Sequence, residues 1–407
     1  MTDSRGPSRQ VLAAAATALA LVVGIDLVTN TIDTERFSWD FRYYIQMAEQ
    51  GLAAPTASPF AYRYLTPLLV RGLSGTLRLS TEMGFTLVAY FGAITQLLGV
   101  FLFTRWYTRS VRGAWFAMLA TALSLFNVKF QLFDPFRPDH LAYPLVLLQA
   151  YLALTGRFAP LLISTIVGCQ IREFNAIPMV AYMYASVRAF GGSDAAERRR
   201  ILTELPIAAM GLAAAIMLPR LLIPVVESFQ FADLSRDGLL RAVLSPLVLS
   251  RDVNFAYSIV AYVLPVLLLA GPGELRATAA GMLARDRVFL GAYSGLVLVL
   301  SFLGGTDFFR FATYLLVPHV ILLGSLSNRH PAAYLVGVLV IIFVFNRIWL
   351  PFPDSDLSAY LDFYGGHGTR LNVASVLRIV ECAVFIAAGW LYRRAFAARD
   401  RPSLAGR

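Results

Sequence analysis

Long runs of apolar residues, separated by short polar segments, recur along the whole 407-residue chain. A helix that crosses the hydrocarbon core of a bilayer needs roughly 20 mostly apolar residues, and the pattern predicts about twelve such helices, with a range of about 10–13. They begin near Val11, Met83, Arg112, Leu141, Phe158, Phe174, Leu205, Phe255, Val288, Phe311, Ala332 and Val373. The predicted fold is therefore an all-α, polytopic membrane helix bundle.

The composition supports a lipid environment. Hydrophobic residues make up 57% of the chain and charged residues 15%, whereas soluble domains have roughly 45–50% and about 25%. We predict a single transmembrane domain over residues 1–407, with no separate soluble domain. Both cysteines, Cys169 and Cys382, lie inside apolar runs, which argues against a disulfide framework or a cysteine metal site.

The charges indicate an orientation. The formal net charge is +10, and nearly all of the basic residues are arginine, since Lys129 is the only lysine. No basic stripe with interleaved aromatic residues occurs, which argues against nucleic-acid binding. Arginines such as the Arg198–Arg200 run concentrate in alternate short links, so the positive-inside rule places both termini in the cytoplasm. We read the N-terminal segment as a retained first helix, because no small-residue cleavage site follows it.

The remaining links are longer, more acidic and richer in aromatic residues. They are the first outer loop, residues 30–82, the later loops 227–254 and 351–372, and the compact turn 129–139. Because binding and catalytic residues concentrate on such loops, we expect the function on the extracytoplasmic side of a multi-pass protein of the cell (inner or plasma) membrane.

Two amphipathic helices are predicted within the first outer loop, lying along the membrane interface. The apolar face of the first consists of Trp39, Tyr43, Met47 and Ala48, with Gly51 as its C-cap. The second follows Pro59, and its stripe consists of Tyr62, Leu65, Leu69 and Leu73. The alternative is a solvated cap with aromatic residues at the interface.

Asp40 is the candidate general base of this loop. It follows Trp39 and precedes Tyr43 and Tyr44 at the start of the first interfacial helix, so its carboxylate would be partly desolvated near the mouth of the bundle. A carboxylate in that position can remove a proton from an acceptor hydroxyl. Asp33 and Glu35 are weaker rivals in a more solvated setting.

Short turns between other spans also carry charge. The turn FDPFRPDH contains Asp134, Arg137, Asp139 and His140, two further links contain Arg172–Glu173 and Asp307 with Arg310, and the last outer loop contains His367 and Arg370. These residues are either ordinary loop charges, with Arg172 and Glu173 neutralising each other at a hairpin tip, or they line a polar cavity. Arginine binds phosphate oxygens in two-pronged fashion. The outer arginines therefore predict a lipid-phosphate substrate; they are Arg63, Arg137, Arg172, Arg310, Arg347 and Arg370.

These features together resemble the GT-C glycosyltransferases. The segment WDFRYYIQMAEQG…SPFAYRYLTPLL is similar to the first loop of bacterial lipid-linked sugar transferases. The resemblance implies Asp40 as catalytic base, Asp139 or less favourably Asp134 as a second acidic group, and a polyprenyl-phosphate-linked sugar as donor. The acceptor would be a glycan, a lipid or a protein. Phosphate contacts are assigned by position to Arg172, Arg310 and Arg370, and further substrate contacts to Tyr44, Arg63, Arg137, His140, Glu173, Asp307 and His367.

The first loop departs from the pattern of that family. An Asp-X-Asp or Glu-X-Asp pair is common in its first loop, whereas Ser38 precedes Trp39–Asp40 here. A divalent metal, Mg or Mn, therefore stays an open alternative.

A transporter or lipid flippase is the second functional reading, with Arg220, Arg378 and Glu381 as its polar groups within spans, although Arg378 and Glu381 could simply neutralise each other at i, i+3. A structural scaffold for an envelope complex is the third reading. Polar groups concentrate at the outer ends of the spans, which favours the enzyme.

Overall fold

The computed structural model describes residues 7–36, 40–54, 56–228, 248–303, 307–353 and 371–399. Within these ranges the chain is mostly helical. The helices are α1 Pro7–Asp26, α2 Phe41–Gln50, α3 Leu65–Leu77, α4 Thr81–Thr108, α5 Val111–Ala122, α6 Phe130–Phe133, α7 Asp139–Leu154, α8 Phe158–Cys169, α9 Ile177–Phe190, α10 Ala195–Leu222, α11 Leu249–Leu269, α12 Pro272–Ala280, α13 Ala284–Leu303, α14 Phe308–Ala312, α15 Leu316–Ser327, α16 Ala332–Phe345 and α17 Val373–Arg399. Strands β1 Ala57–Ser58 and β2 Glu227–Ser228 form a short parallel pair.

Polar side chains determine where several helices begin. The Ser80 hydroxyl accepts a hydrogen bond from the backbone N–H of Met83 at 3.2 Å, and Ser110 accepts one from Gly113 at 2.9 Å. Asp194 does the same for α10. Each of these bonds satisfies a backbone donor that has no partner within the first turn of a helix. Consequently α4 and α5 begin within two residues of the starts that the apolar pattern predicts.

Seven helical segments among the described residues are long and apolar enough to cross a membrane: α1, α4, α10, α11, α13, the continuous run from α14 through α15, and α17. Helix α5 and the segment Leu125–Phe133 form an eighth if counted as one span, bent by 52°. Helices α8 and α16 are apolar but shorter. The protein is therefore a multi-pass membrane protein with an α-helical fold. Twelve spans and cytoplasmic termini stay predictions.

The centre of the bundle is the segment Phe308–Ser327, which contains α14 and α15. In its most apolar window 83% of the residues are buried, compared with 22% in α1, α10 and α17. It packs against α4, α5 and α11. Helices α1, α10 and α17 therefore lie at the periphery, where their apolar faces are available to lipid.

Segments that the sequence predicts for one face of the membrane contact one another in the structure. In the first loop, the backbone N–H of Ile32 donates to Phe133 O at 2.7 Å and that of Leu65 to Gln170 O at 3.1 Å. The side chain of Asn30 exchanges two hydrogen bonds with the backbone of Phe352, at 2.9 and 2.7 Å. These contacts bring the first loop, the turn before α7, the link after α8 and the segment after α16 to the same end of the bundle.

Both predicted helices of the first loop are present, as α2 and α3. Helix α2 ends at Gly51, whose φ of 82° suits glycine, so the predicted C-cap is confirmed. Of the stripe predicted for α3, Leu65 and Leu73 pack against the core, whereas Leu69 is 48% exposed and Val70 is buried. Val70 can pack there because Gly84 of α4 has no Cβ, which would lie 2.9 Å from Val70 Cγ1. Trp39 lies outside the described residues, and a location at the membrane interface stays a prediction for both helices.

Candidate functional site

The first part of the site links Asp40 to the turn before α7. Arg137 lies between two carboxylates: its Nη1 is 3.2 Å from Asp40 Oδ2, and its Nε donates to Asp134 Oδ2. The Asp134 side chain is completely buried, whereas that of Asp40 is 17% exposed. Asp40 is therefore the member of this trio that a substrate can reach from outside.

Burial affects the ionisation of Asp134. The loss of solvation raises the pKa of this carboxyl from its ordinary 3.8 to about 6, although the positive charge of Arg137 acts in the opposite direction. Desolvation disfavours the charged form of an acid. The ion pair between Asp134 and Arg137 is therefore complete only above about pH 6.

The second part of the site surrounds Asp139, the first residue of α7. Arg172 Nε lies 3.4 Å from Asp139 Oδ1, and the Tyr314 hydroxyl donates to the same oxygen at 2.8 Å. All three side chains are buried. Sequence reasoning missed Tyr314, because a tyrosine within a long apolar run has the same pattern as an ordinary core aromatic residue.

A close approach of two helices places the start of α7. Gly92 of α4 faces the backbone of His140, and a Cβ on that glycine would lie 2.5 Å from His140 O. His140 Nε2 in turn contacts Asp134 O at 3.0 Å. The absence of a side chain at Gly92 thus lets the turn containing Asp134 and the start of α7 sit deep against α4.

The third part of the site joins the first loop to the link after α8. Arg63 Nε lies 3.0 Å from Glu173 Oε2, and Arg63 Nη1 donates to the Tyr44 hydroxyl at 3.3 Å. Arg172 and Glu173 therefore do not form the predicted ion pair with each other: each forms its ion pair with a residue from a different element. Burial raises the pKa of Tyr44 to about 12, so this hydroxyl stays protonated. Burial tends to raise the pKa of Glu173, but Arg63 and Arg172 outweigh it and the net pKa is lowered, so Glu173 is ionised.

Asp307 and Arg310 form the fourth part, at the start of the central segment. Arg310 Nε is 3.4 Å from Asp307 Oδ2. The guanidinium groups of Arg310 and Arg172 lie 5.4 and 5.7 Å from the centroid of the Phe311 ring. Phe311 therefore connects this ion pair to the one around Asp139.

We call these nine residues the charged cluster: Asp40, Arg63, Asp134, Arg137, Asp139, Arg172, Glu173, Asp307 and Arg310. The members come from parts of the sequence up to about 270 positions apart, and most were selected as site candidates from the sequence alone. Each of the four arginines has a carboxylate within 3.4 Å. Since carboxylates outnumber arginines by one, the cluster carries no net positive charge.

Several buried polar atoms of this region have no hydrogen-bond partner among the described residues. They are Asp134 Oδ1, Asp139 Oδ2, His140 Nδ1 and Arg310 Nη1. Buried polar groups in folded proteins almost always have a partner in protein or water. Donors and acceptors concentrated in this way are suited to binding water or a polar ligand.

The remaining candidates lie elsewhere. His367 and Arg370 are outside the described residues. Asp33 accepts a hydrogen bond from the Glu35 backbone at 2.9 Å and pairs with Arg36 at 3.2 Å in a solvent-accessible turn, which fits their weaker rank as bases. Within the described part of the chain, no group of three or more His, Cys, Asp or Glu side chains could hold a metal ion.

Arg378 and Glu381, two of the polar groups that favour a transporter, form ion pairs outside the charged cluster. Glu381 pairs with Arg378, as the i, i+3 spacing predicts, and also with Arg347 at 3.2 Å. A buried chain of three amides joins α4 to the segment that follows α5: Gln131 donates to Gln96, whose Nε2 lies 2.5 Å from Asn127 Oδ1. Asn127 belongs to the irregular turn at which the α5 segment bends.

Comparison with known proteins gave no matching family, curated protein or solved structure.

Proposed function

We propose that this protein is a membrane glycosyltransferase that moves a sugar from a polyprenyl-phosphate-linked donor to an acceptor at the outer face of the membrane. The observation that carries the proposal is the convergence of Asp40 and Asp139, from different loops, on one buried cluster of carboxylates and arginines at one end of the bundle. Charged side chains near hydrocarbon are costly, and where they occur they commonly serve chemistry or binding.

The cluster suggests a division of roles. Asp40 is the more accessible carboxylate, so it would remove the proton from the acceptor hydroxyl as that oxygen attacks the anomeric carbon. The bond from the anomeric carbon to the phosphate oxygen breaks, and the electron pair leaves with the lipid phosphate. Arginine N–H groups, including the unpartnered Nη1 of Arg310, would stabilise the charge that develops on that phosphate.

The test uses purified protein reconstituted with radiolabelled polyprenyl-phosphate sugars and follows the loss of label from the lipid. Asp40→Asn keeps the shape and the contact with Arg137 but cannot act as a base, so transfer should fall by about 100-fold or more. Asp33→Asn is the matched control in the same loop and should retain activity. Wild-type turnover that persists in Asp40→Asn would remove Asp40 from this role.

A transporter or lipid flippase is the second candidate, favoured by the buried amide chain beside the bent α5 segment. Transporters use polar groups in mid-membrane and interrupted helices in this way. In proteoliposomes, this reading predicts that labelled lipid or solute crosses the bilayer without loss of sugar from any donor, and that Gln96→Leu abolishes the movement.

A further inference from the structure

Arg220, in the last turn of α10, differs from the arginines of the charged cluster. Among the described residues it has no carboxylate partner: its Nη1 donates to Ile216 O of its own helix at 2.6 Å, and its guanidinium lies 4.7 Å from the centroid of the Tyr62 ring. A positive charge at the end of a membrane helix with no counter-charge is available to bind an anion.

The surface around Arg220 faces lipid. Its neighbours Leu218, Leu221 and Leu222 are 52%, 74% and 75% exposed, and α10 is a peripheral helix long and apolar enough to span. Arg220 lies two residues before the end of this helix, and its side chain turns back along the helix to Ile216 O and Tyr62. A headgroup that diffuses in the bilayer can therefore reach this guanidinium from the side.

Arg220 is also adjacent to the charged cluster. Tyr62, which its guanidinium contacts, directly precedes Arg63, and Arg63 pairs with Glu173. The helix that bears Arg220 is held to the same region by the Gln170 side chain, which donates to Ala215 O at 2.9 Å. A group bound at Arg220 would thus lie beside the Arg63–Glu173 pair, on the lipid side of it.

We propose that Arg220 and Tyr62 form a lateral docking site for the phosphate headgroup of a lipid. The carboxylate partners of the cluster arginines make those arginines weaker first contacts for an anion, whereas the Arg220 guanidinium offers N–H donors that fit phosphate oxygens in two-pronged fashion. The inference deepens the proposed function, because a polyprenyl phosphate would dock here before its sugar reaches the cluster. Lipid binding itself does not require any transfer.

The experiment titrates detergent-purified protein with a short-chain polyprenyl monophosphate and measures binding by native mass spectrometry, with no sugar or acceptor present. Wild type should bind the lipid, Arg220→Gln should bind about tenfold more weakly, and Arg220→Lys should be intermediate. Arg71→Gln is the matched control. Arg71 is an exposed arginine that, like Arg220, donates to a backbone carbonyl, Glu49 O at 3.0 Å. The Arg71→Gln variant should bind lipid as wild type does.

Each further outcome is decisive. Equal binding by wild type and Arg220→Gln, or an equal loss in Arg71→Gln, would overturn the docking site. Displacement of the lipid by inorganic phosphate at the same concentration would assign the site to free phosphate and overturn the lipid docking site. Asp40→Asn should bind the lipid normally, so a failure of sugar transfer leaves this binding test unaffected.

Discussion

At the scale of single residues, the ion pairs are of two kinds: some join neighbours on one helix turn, and others join distant parts of the chain. Asp307 with Arg310, and Arg378 with Glu381, are pairs at i, i+3 on one helix turn, where neighbouring side chains meet. Arg63 and Glu173 are 110 positions apart. Their pairing depends on how the segment before α3 approaches the link after α8, which no local pattern encodes. The candidate residues were therefore recognisable from the sequence, but their partners were not.

Tyr314 provides a direct test at this scale. Tyr314→Phe removes the hydrogen bond to Asp139 and keeps the ring, which packs against Tyr143 and Phe174 at 5.0 and 4.5 Å between centroids. A hydrogen bond to a charged group contributes about 1.5–3 kcal/mol. We expect sugar transfer to fall by about tenfold or more, measured on the labelled donor.

Tyr293→Phe is the matched control for this variant. The Tyr293 hydroxyl is also buried and donates to Tyr314 O at 2.6 Å, without contacting Asp139. It should lose similar stability and keep its transfer rate. Equal loss of transfer in both variants would show that Tyr314 acts only through packing.

Asp134 gives a pH-dependent prediction. Burial raises the pKa of Asp134 from 3.8 to about 6. At pH values between these two numbers, Asp134 is therefore protonated in the native state and ionised in the unfolded chain. The contribution of Asp134 to the free energy of unfolding, taken as the difference between wild type and Asp134→Asn, should therefore decrease as pH rises from about 4 to about 6, by up to about 3 kcal/mol, and stay constant above that range. Thermal unfolding in detergent measures it. In Asp134→Asn this contribution should vanish, and a variant with an unchanged pH dependence would contradict the assignment.

At the scale of elements, the sequence predicted that α2 and α3 are helical and where α2 ends, but not that Val70 of α3 packs against α4. Helix α2 ends where Gly51 indicates, because the left-handed conformation at a helix end favours glycine. The buried face of α3 depends instead on the gap that Gly84 leaves on α4. That gap becomes visible only when both helices are placed.

The substitution Gly92→Ala tests the contact that places the turn containing Asp134 and the start of α7. In Gly92→Ala the new Cβ would lie 2.5 Å from His140 O, so the start of α7 must shift. Overpacking of this kind costs about 1–3 kcal/mol, which should lower the apparent unfolding temperature and impair transfer. Gly295→Ala is the control, since nothing lies within 4 Å of a Cβ at Gly295. It should be neutral or slightly stabilising, and equal destabilisation of both variants would contradict the role of the contact.

At the scale of the whole molecule, the apolar pattern identified a multi-pass membrane protein. The number of spans also depends on how short helices and irregular links pack, which the pattern does not show. Helix α8 is only 12 residues long, and the irregular link after it is largely buried among other helices. Non-helical backbone at membrane depth is tolerated where protein surrounds it. A count of spans that requires long continuous helices therefore misses a span made of a short helix and a buried irregular link. The prediction of twelve spans is decided by measuring the topology.

Cysteine accessibility supplies that test. The native cysteines are buried, so single cysteines can be introduced at exposed positions of opposite predicted faces, such as Glu35→Cys in the first loop and Gly192→Cys between α9 and α10. With the first loop outside, a membrane-impermeant maleimide should label Glu35→Cys in intact cells. Gly192→Cys should react only after permeabilisation. The reverse pattern would place the charged cluster in the cytoplasm, whereas labelling of both sites in intact cells would contradict the predicted number of crossings between them.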